Sequence, residues 1–160
     1  AGMGEIEPMG AITEAGFDRV FATNVKGTTF TVQGALPLMG EGSSVVIIGS
    51  TSSINPGPGM SVYGATKAAL RALVRSWILD IRGSGVRINL LSPGPVDTPS
   101  LRDVLGENAQ QVIGLLNEKS TLGRIGQAHE IGQAALFLAS DASSYVNGAE
   151  LFADGGASQV

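Results

Sequence analysis

The sequence predicts an α/β fold in which helices wrap a parallel β-sheet. Three observations carry that expectation. Segments with helical periodicity alternate with short strand-like runs along the whole chain. The strand-like runs are apolar on both sides, as in strands buried on both faces. The 23 glycines are dispersed, not clustered, which suits tight strand-to-helix turns better than a flexible linker.

Each element is readable in order. Residues 13–39 form a helical stretch, with Phe17, Val20, Phe21 and Val25 at helical spacing and Thr13 as N-cap. Gly27 interrupts this stretch just after Asn24, so two helices or one bent helix both fit. Residues 45–48 are a continuous β-branched run, expected as a central parallel strand. Residues 50–60 are a loop rich in Ser, Pro and Gly. A helix is expected from Ser61 to Arg82, with Leu70, Leu73, Val74, Trp77, Ile78 and Ile81 on one stripe and Arg71, Arg75 and Arg82 off it. "GSG" at 83–85 ends that helix. Residues 86–91 form the next strand, stopped by "SPGPVDTP". Residues 99–118 read as a mobile helical insertion. Residues 128–140 form a further helix and residues 149–156 a last short strand.

Composition narrows the function classes. At 160 residues, 43% hydrophobic and 15% charged, the chain has the material for one domain with a core. The net charge is −4 and no Lys/Arg run occurs, so nucleic acid is not an expected partner. There is no cysteine, and His129 is the only histidine, so no metal site is expected and His129 reads as a solvated first-turn residue. No apolar stretch reaches the ~18 residues of a membrane span. The opening "AGMGEIEPMG" lacks the basic and apolar segments of a signal peptide, and a cytoplasmic location is expected.

Ligands of open parallel α/β sheets bind beyond the carboxyl ends of strands. Two such ends carry polar or backbone-special residues: Gly49-Ser50-Thr51, and Ser92 to Thr98. The helix that begins at Ser61 connects the two strands, so a right-handed crossover brings its first turn near both ends. That turn carries "SVYGATKAAL". Tyr63 and Lys67 stand at i and i+4, on one helix face. A tyrosine hydroxyl ordinarily titrates near pH ~10, and a nearby ammonium favours its phenolate. Such a tyrosine serves as general acid–base at a carbonyl or alcohol oxygen, and Ser50 is placed to hold the same oxygen. A Tyr and a Lys four apart also occur on ordinary helices, where the lysine only solvates a face.

The whole set, in order, resembles the classical short-chain dehydrogenase/reductase family. The matching pieces are "NVKG" at 24–27, "VVIIGSTS" at 45–52, "YGATK" at 63–67, "RINLLSPGPVDTP" at 87–99, "RIG" at 124–126, "FLAS" at 137–140 and "DGG" at 154–156. The thirteen-residue interval from Ser50 to Tyr63 is the family's usual one. The resemblance implies a Rossmann-like doubly wound parallel sheet and an NAD- or NADP-dependent oxidoreductase that interconverts a small-molecule ketone or aldehyde and an alcohol. It implies Tyr63 as general acid and base, Lys67 as the residue that tunes Tyr63 and holds the nicotinamide ribose, Ser50 as the substrate anchor, and Asn24 as holder of a water that links Lys67 to solvent. Gly2, Pro93, Gly94, Val96 and Thr98 would line the cofactor, with the Val96 backbone and the Thr98 hydroxyl near the carboxamide. Residues 99–118 would be the substrate lid. Leu101, Val104, Leu105, Val112, Ile113, Leu115 and Leu116 would supply an apolar cover, although they also fit a core. A homo-oligomer, dimer or tetramer, is implied.

The chain departs from the family pattern mainly at the front. No glycine-rich turn between a first strand and a first helix is present. The opening "AG" matches the end of the family's "NAG" turn, so this sequence corresponds to an incomplete fold, a single partial domain over 1–160. Roughly 85–95 preceding residues are expected in a complete domain of this kind. The residue that separates NAD from NADP would lie there. A truncated module that only assembles oligomers is the alternative reading. Smaller departures are Thr66 where Ser is common, Ala128-His129 where Pro-Glu is common, and Asn147 where Thr is common.

Overall fold

A computed structural model describes residues 2–160. After an irregular opening segment, helix α1 spans Glu14–Phe21 and helix α2 spans Thr28–Ala35. Thr13 caps α1, its hydroxyl accepting from the Gly16 amide at 3.0 Å. Between the two helices, Ala22–Gly27 forms a π-helical turn, and the backbone stays helical on both sides of it. The 13–39 stretch is therefore one helical run with a wide turn, not two separate helices. Such turns commonly sit at functional positions, and this one carries Asn24.

Strand β1 (Ser44–Ile48), helix α3 (Ser61–Asp80) and strand β2 (Arg87–Pro93) form a crossover unit. Strands β3 (Val96–Asp97) and β4 (Gly126–Gln127) pair with each other. Between them lie α4 (Pro99–Leu105) and α5 (Ala109–Lys119). Helix α6 (Ala128–Ala139) and strand β5 (Glu150–Ala153) complete the chain. The main sheet has the order β1-β2-β5 and is wholly parallel.

Among the described strands, β1 lies at the edge of the sheet, and its Ile48 is 48% exposed. Strand β2 lies between β1 and β5, and its Ile88, Asn89, Leu90, Leu91 and Ser92 are all buried. A continuous apolar run reports burial on two faces and carries no information about neighbours in the plane of the sheet. Strand β2 also runs two residues further than expected. Ser92 and Pro93 pair with Phe152 and Ala153, and a proline is tolerated at a strand end.

Alternation along β2 divides the core. Ile88 and Leu90 join Val32 of α2, Leu70 and Val74 of α3, and Ile47 of β1 in one apolar cluster. Asn89 and Leu91 point the other way, and α6 packs against β1 and β2. Arg87, at the start of β2, closes the end of α6. Its guanidinium donates to the carbonyls of Leu138 and Ser140, both at 3.1 Å, and to the Ser143 hydroxyl at 2.8 Å. Asn147 accepts from the Ile88 amide at 2.9 Å, so its amide group joins the β2 backbone to the last loop.

The 99–118 insertion is two helices separated at Gly106, whose φ is +55°. None of its seven apolar residues is buried, and Val104 is 69% and Leu115 54% exposed. They are not core. Asp97 and Arg102 pair in two-point fashion at 2.7 Å and fix the start of α4.

Candidate active site

Lys67 sits on α3 one turn after Tyr63 and is buried, with 5% exposure. Its Nζ donates to the Ile48 carbonyl at 3.0 Å, at the end of β1. That is its only hydrogen bond among the described residues, so two of its three donors remain free. The Nζ lies 5.6 Å from the centroid of the Tyr63 ring, within the range of cation–π attraction. Burial pushes the Lys67 ammonium below its ordinary value. The bland reading of Lys67 as a solvated helix-face residue therefore fails.

The sign of the resulting pH dependence is definite. A folded-state value below the unfolded one means that the unfolded chain binds more protons between the two. Stability contributed through Lys67 then rises with pH across the window from its lowered value up to ~10.4. Urea unfolding of the parent and of Lys67→Met, compared from pH 7 to pH 10, checks this. The parent should gain relative to the variant as pH rises through that window. A gap that falls with pH would refute the desolvation.

Ser50 follows β1 and caps the short 3₁₀ turn Thr51–Ser53, its Oγ accepting from the Ser52 amide at 3.1 Å. Its own proton has no protein acceptor among the described residues, and neither has that of Tyr63. The two residues belong to elements in close contact. A Cβ on Gly64 would stand 2.7 Å from the Ser52 carbonyl oxygen and 3.0 Å from Pro56 Cβ, so only glycine allows α3 to approach the turn this closely.

Asn24 is buried between the opening segment and α3. Its amide nitrogen donates to the Met3 carbonyl at 2.8 Å and to Thr66 Oγ1 at 3.0 Å, and its oxygen accepts from the Met3 amide at 3.0 Å. Thr66 Oγ1 in turn donates to the Tyr63 carbonyl at 2.7 Å. Thr66, fully buried, thus couples the wide turn of the first helical run to the first turn of α3. Sequence reading noted Thr66 only as a departure. Its one available signal was a hydroxyl residue between Tyr63 and Lys67.

The opening segment completes this end of the sheet. A Cβ on Gly2 would lie 3.5 Å from Lys67 Nζ, and one on Gly4 would lie 3.0 Å from Tyr63 Cδ2. Pro93 ends β2, and Val96 pairs with Gly126 in the small sheet. Thr98 caps α4, its Oγ1 accepting from Leu101 N at 3.2 Å. Gly94 lies against β5, where a Cβ would meet Asp154 Cβ at 2.7 Å and Cα at 2.8 Å. The structure joins Asn24, Lys67, Gly2 and Tyr63 through direct contacts and close approaches. The turn that Ser50 caps packs on α3 at Gly64, the residue after Tyr63, and Pro93, Gly94, Val96 and Thr98 follow the neighbouring strand end. Among the described residues no cluster of His, Cys, Asp and Glu could hold a metal, and no helix is long and apolar enough to cross a membrane.

Gly94→Ala is expected to destabilise the chain, because the new methyl meets backbone and not a flexible tip. A lowered urea midpoint, with the β2–β5 amides losing hydrogen-exchange protection first, is the expected result. An unchanged midpoint would refute the close packing.

A doubly wound parallel sheet with free hydroxyl and ammonium donors gathered beyond its strand ends is a Rossmann-like architecture. Comparison with known proteins specifies it. A family model described as enoyl-(acyl carrier protein) reductase matches residues 1–158. An oxidoreductase, asL5, of Sarocladium schorii is 45% identical over 162 residues, covering 100% of this chain and 64% of its own length. The crystal structure of a gluconate 5-dehydrogenase from Burkholderia cenocepacia J2315 in complex with NADP and tartrate superposes with a TM-score of 0.93 at 32% identity, covering 100% of this chain and 63% of that one. A 3-oxoacyl (acyl-carrier-protein) reductase from Agrobacterium tumefaciens C58 with NADP bound gives 0.88 at 34% identity, covering 97% and 61%. The chain belongs to the short-chain dehydrogenase/reductase family, and it spans less than two thirds of the length of these relatives.

Proposed function

We propose that this chain carries the catalytic part of an NAD(P)-dependent oxidoreductase that interconverts a carbonyl compound and an alcohol. The observation that carries the reading is the set of donors near the end of β1 that have no partner among the described residues: the Tyr63 hydroxyl, the Ser50 hydroxyl and two protons of Lys67 Nζ.

These residues fit a nicotinamide nucleoside. A buried ammonium with two free donors suits the two hydroxyls of a ribose, and Gly2 leaves its approach open. When bound, the cofactor supplies or accepts the hydride. The chain's own groups handle the oxygen. In reduction, Tyr63 donates its proton to the carbonyl oxygen, while Ser50 donates a hydrogen bond to the same oxygen. In the reverse direction Tyr63 accepts that proton. Lys67, close to the ring, favours the negative charge that Tyr63 takes on during transfer. The side chain of Asn24 is engaged by Met3 and Thr66. Its oxygen accepts only one of these bonds and keeps a second lone pair for a water that links Lys67 to solvent. Pro93, Gly94, the Val96 backbone and Thr98 line the nicotinamide face, with Thr98 keeping its proton free to donate.

Residues 99–118 act as the lid over the substrate. Their unburied apolar residues favour a hydrophobic carbonyl compound. The protein works as a cytoplasmic homo-oligomer. The test is a 340 nm assay with NADH and NADPH against a panel of ketones and aldehydes. Cofactor consumption that needs both cofactor and carbonyl supports the reading. A folded protein with no turnover on any member opposes it.

A further inference from the structure

One half-buried ion pair lies outside the groups assigned above. Arg71 and Glu150 are 79 residues apart and pair through Arg71 Nε and Glu150 Oε2. Their side chains are only 23% and 10% exposed. Arg71 lies one turn after Lys67 and two after Tyr63, near the same face of α3. Its Nη2 also donates to Ser53 Oγ at 2.7 Å. Ser53 belongs to the turn that Ser50 caps. The other carboxylate oxygen of Glu150 accepts from Ser92 Oγ at 2.7 Å and from Ser53 Oγ at 3.3 Å. Ser92 is fully buried and directly precedes Pro93 and Gly94. This single cluster therefore ties together the helix of Tyr63 and Lys67, the turn of Ser50, and the strand end that leads into the nicotinamide-lining loop.

Energetics argue that the pair serves geometry. Taking two charges partly out of water offsets much of their attraction, so such a pair is weak evidence for stability by itself. What the pair supplies is direction. A planar guanidinium with a fixed fork holds a carboxylate and a hydroxyl at set angles, which a lysine cannot reproduce.

We propose that Arg71 and Glu150 are positioning residues that set the Ser50 turn, and with it the substrate-anchoring hydroxyl, against the Tyr63 helix. The inference rests on the function proposed above for Ser50 and Tyr63. Its test has an arm that does not.

The first arm is hydrogen exchange on three variants: Arg71→Met, the double variant Arg71→Met/Glu150→Gln, and Arg71→Lys. The reporters are the Ser52, Ser53 and Ile54 amides, which bond within the Ser50 turn. The controls are the β2 amides, such as Leu90 N on the Ala149 carbonyl. The expected result is about tenfold faster exchange at the turn with β2 unchanged. Arg71→Lys should fall between parent and Arg71→Met, and it covers the case in which the methionine variant does not fold. The second arm is kinetic: kcat should fall about tenfold while KM for the reduced cofactor stays within about twofold. Turn amides exchanging at the parent rate, or uniform loosening of turn and β2 together, would overturn the proposal. If the parent shows no turnover, the function reading fails, and the exchange arm alone decides whether the cluster positions the turn.

Discussion

Replacing Tyr63 with phenylalanine should lower turnover by about 10²–10⁴-fold, the range that a positioned acid–base group supplies, and leave the fold intact. The structure explains why the two effects separate. The ring is half-buried under the opening segment and close to Lys67, and phenylalanine keeps both contacts. The hydroxyl has no protein partner among the described residues, so its removal leaves no buried group unsatisfied. Steady-state assays at 340 nm measure the first effect, and thermal unfolding by circular dichroism measures the second. Retained turnover would remove Tyr63 from the chemistry. Loss of turnover together with loss of folding would remove the variant as a measure of catalysis, and Tyr63→Trp is no substitute, because Gly4 leaves no room for a larger ring.

Replacing Arg87 with methionine should cost about 2–3 kcal/mol of stability. Methionine keeps the apolar stem of the side chain but not its donors. The carbonyls of Leu138 and Ser140, at the end of α6, then lose a charged donor, and so does the Ser143 hydroxyl. A cation at a helix C-terminus also complements the helix dipole. Arg87→Lys should recover only part of the loss, since one ammonium cannot reach three acceptors in the geometry of the fork. Urea unfolding at constant slope gives the comparison. A shift below about 0.5 kcal/mol, the range of an ordinary surface change, would show that the α6 end does not depend on Arg87.

Much of the fold was legible because the periodicities were long. The apolar stripe of α3 and the helical stretch before β1 both extend over many residues, and their boundaries fall within a few residues of expectation. Strands β3 and β4 have two residues each, too few for any period, and only their pairing reveals them. In-plane neighbours leave no trace in a strand's own residues, so the order β1-β2-β5 is seen only in the folded sheet.

The candidate site divides along the same line. Tyr63 and Lys67 are neighbours through local helix geometry, so the four-residue spacing put them on one face, while the role given to them came from the family resemblance. That Lys67 is buried, and reaches the end of β1, is a tertiary fact. The clamp of Asn24 on Met3 spans 21 residues, and its link to Thr66 spans 42. Arg71 appeared off the apolar stripe as an ordinary surface charge. Its partner lies on the last strand, and no local pattern joins the two. Long-range polar pairs of this kind are invisible to periodicity, because a single charged residue in a strand or helix looks the same whether it meets water or a distant partner.

The central claim is that this chain holds the nicotinamide end of an NAD(P) site beside Lys67 and Tyr63. The most direct measurement is a titration of the folded chain with NADPH and then NADH, followed by the fluorescence of the reduced nicotinamide. The account predicts saturable enhancement with at least one of the two, strongly weakened in Lys67→Met. A folded chain that gives no saturable signal with either cofactor would contradict it.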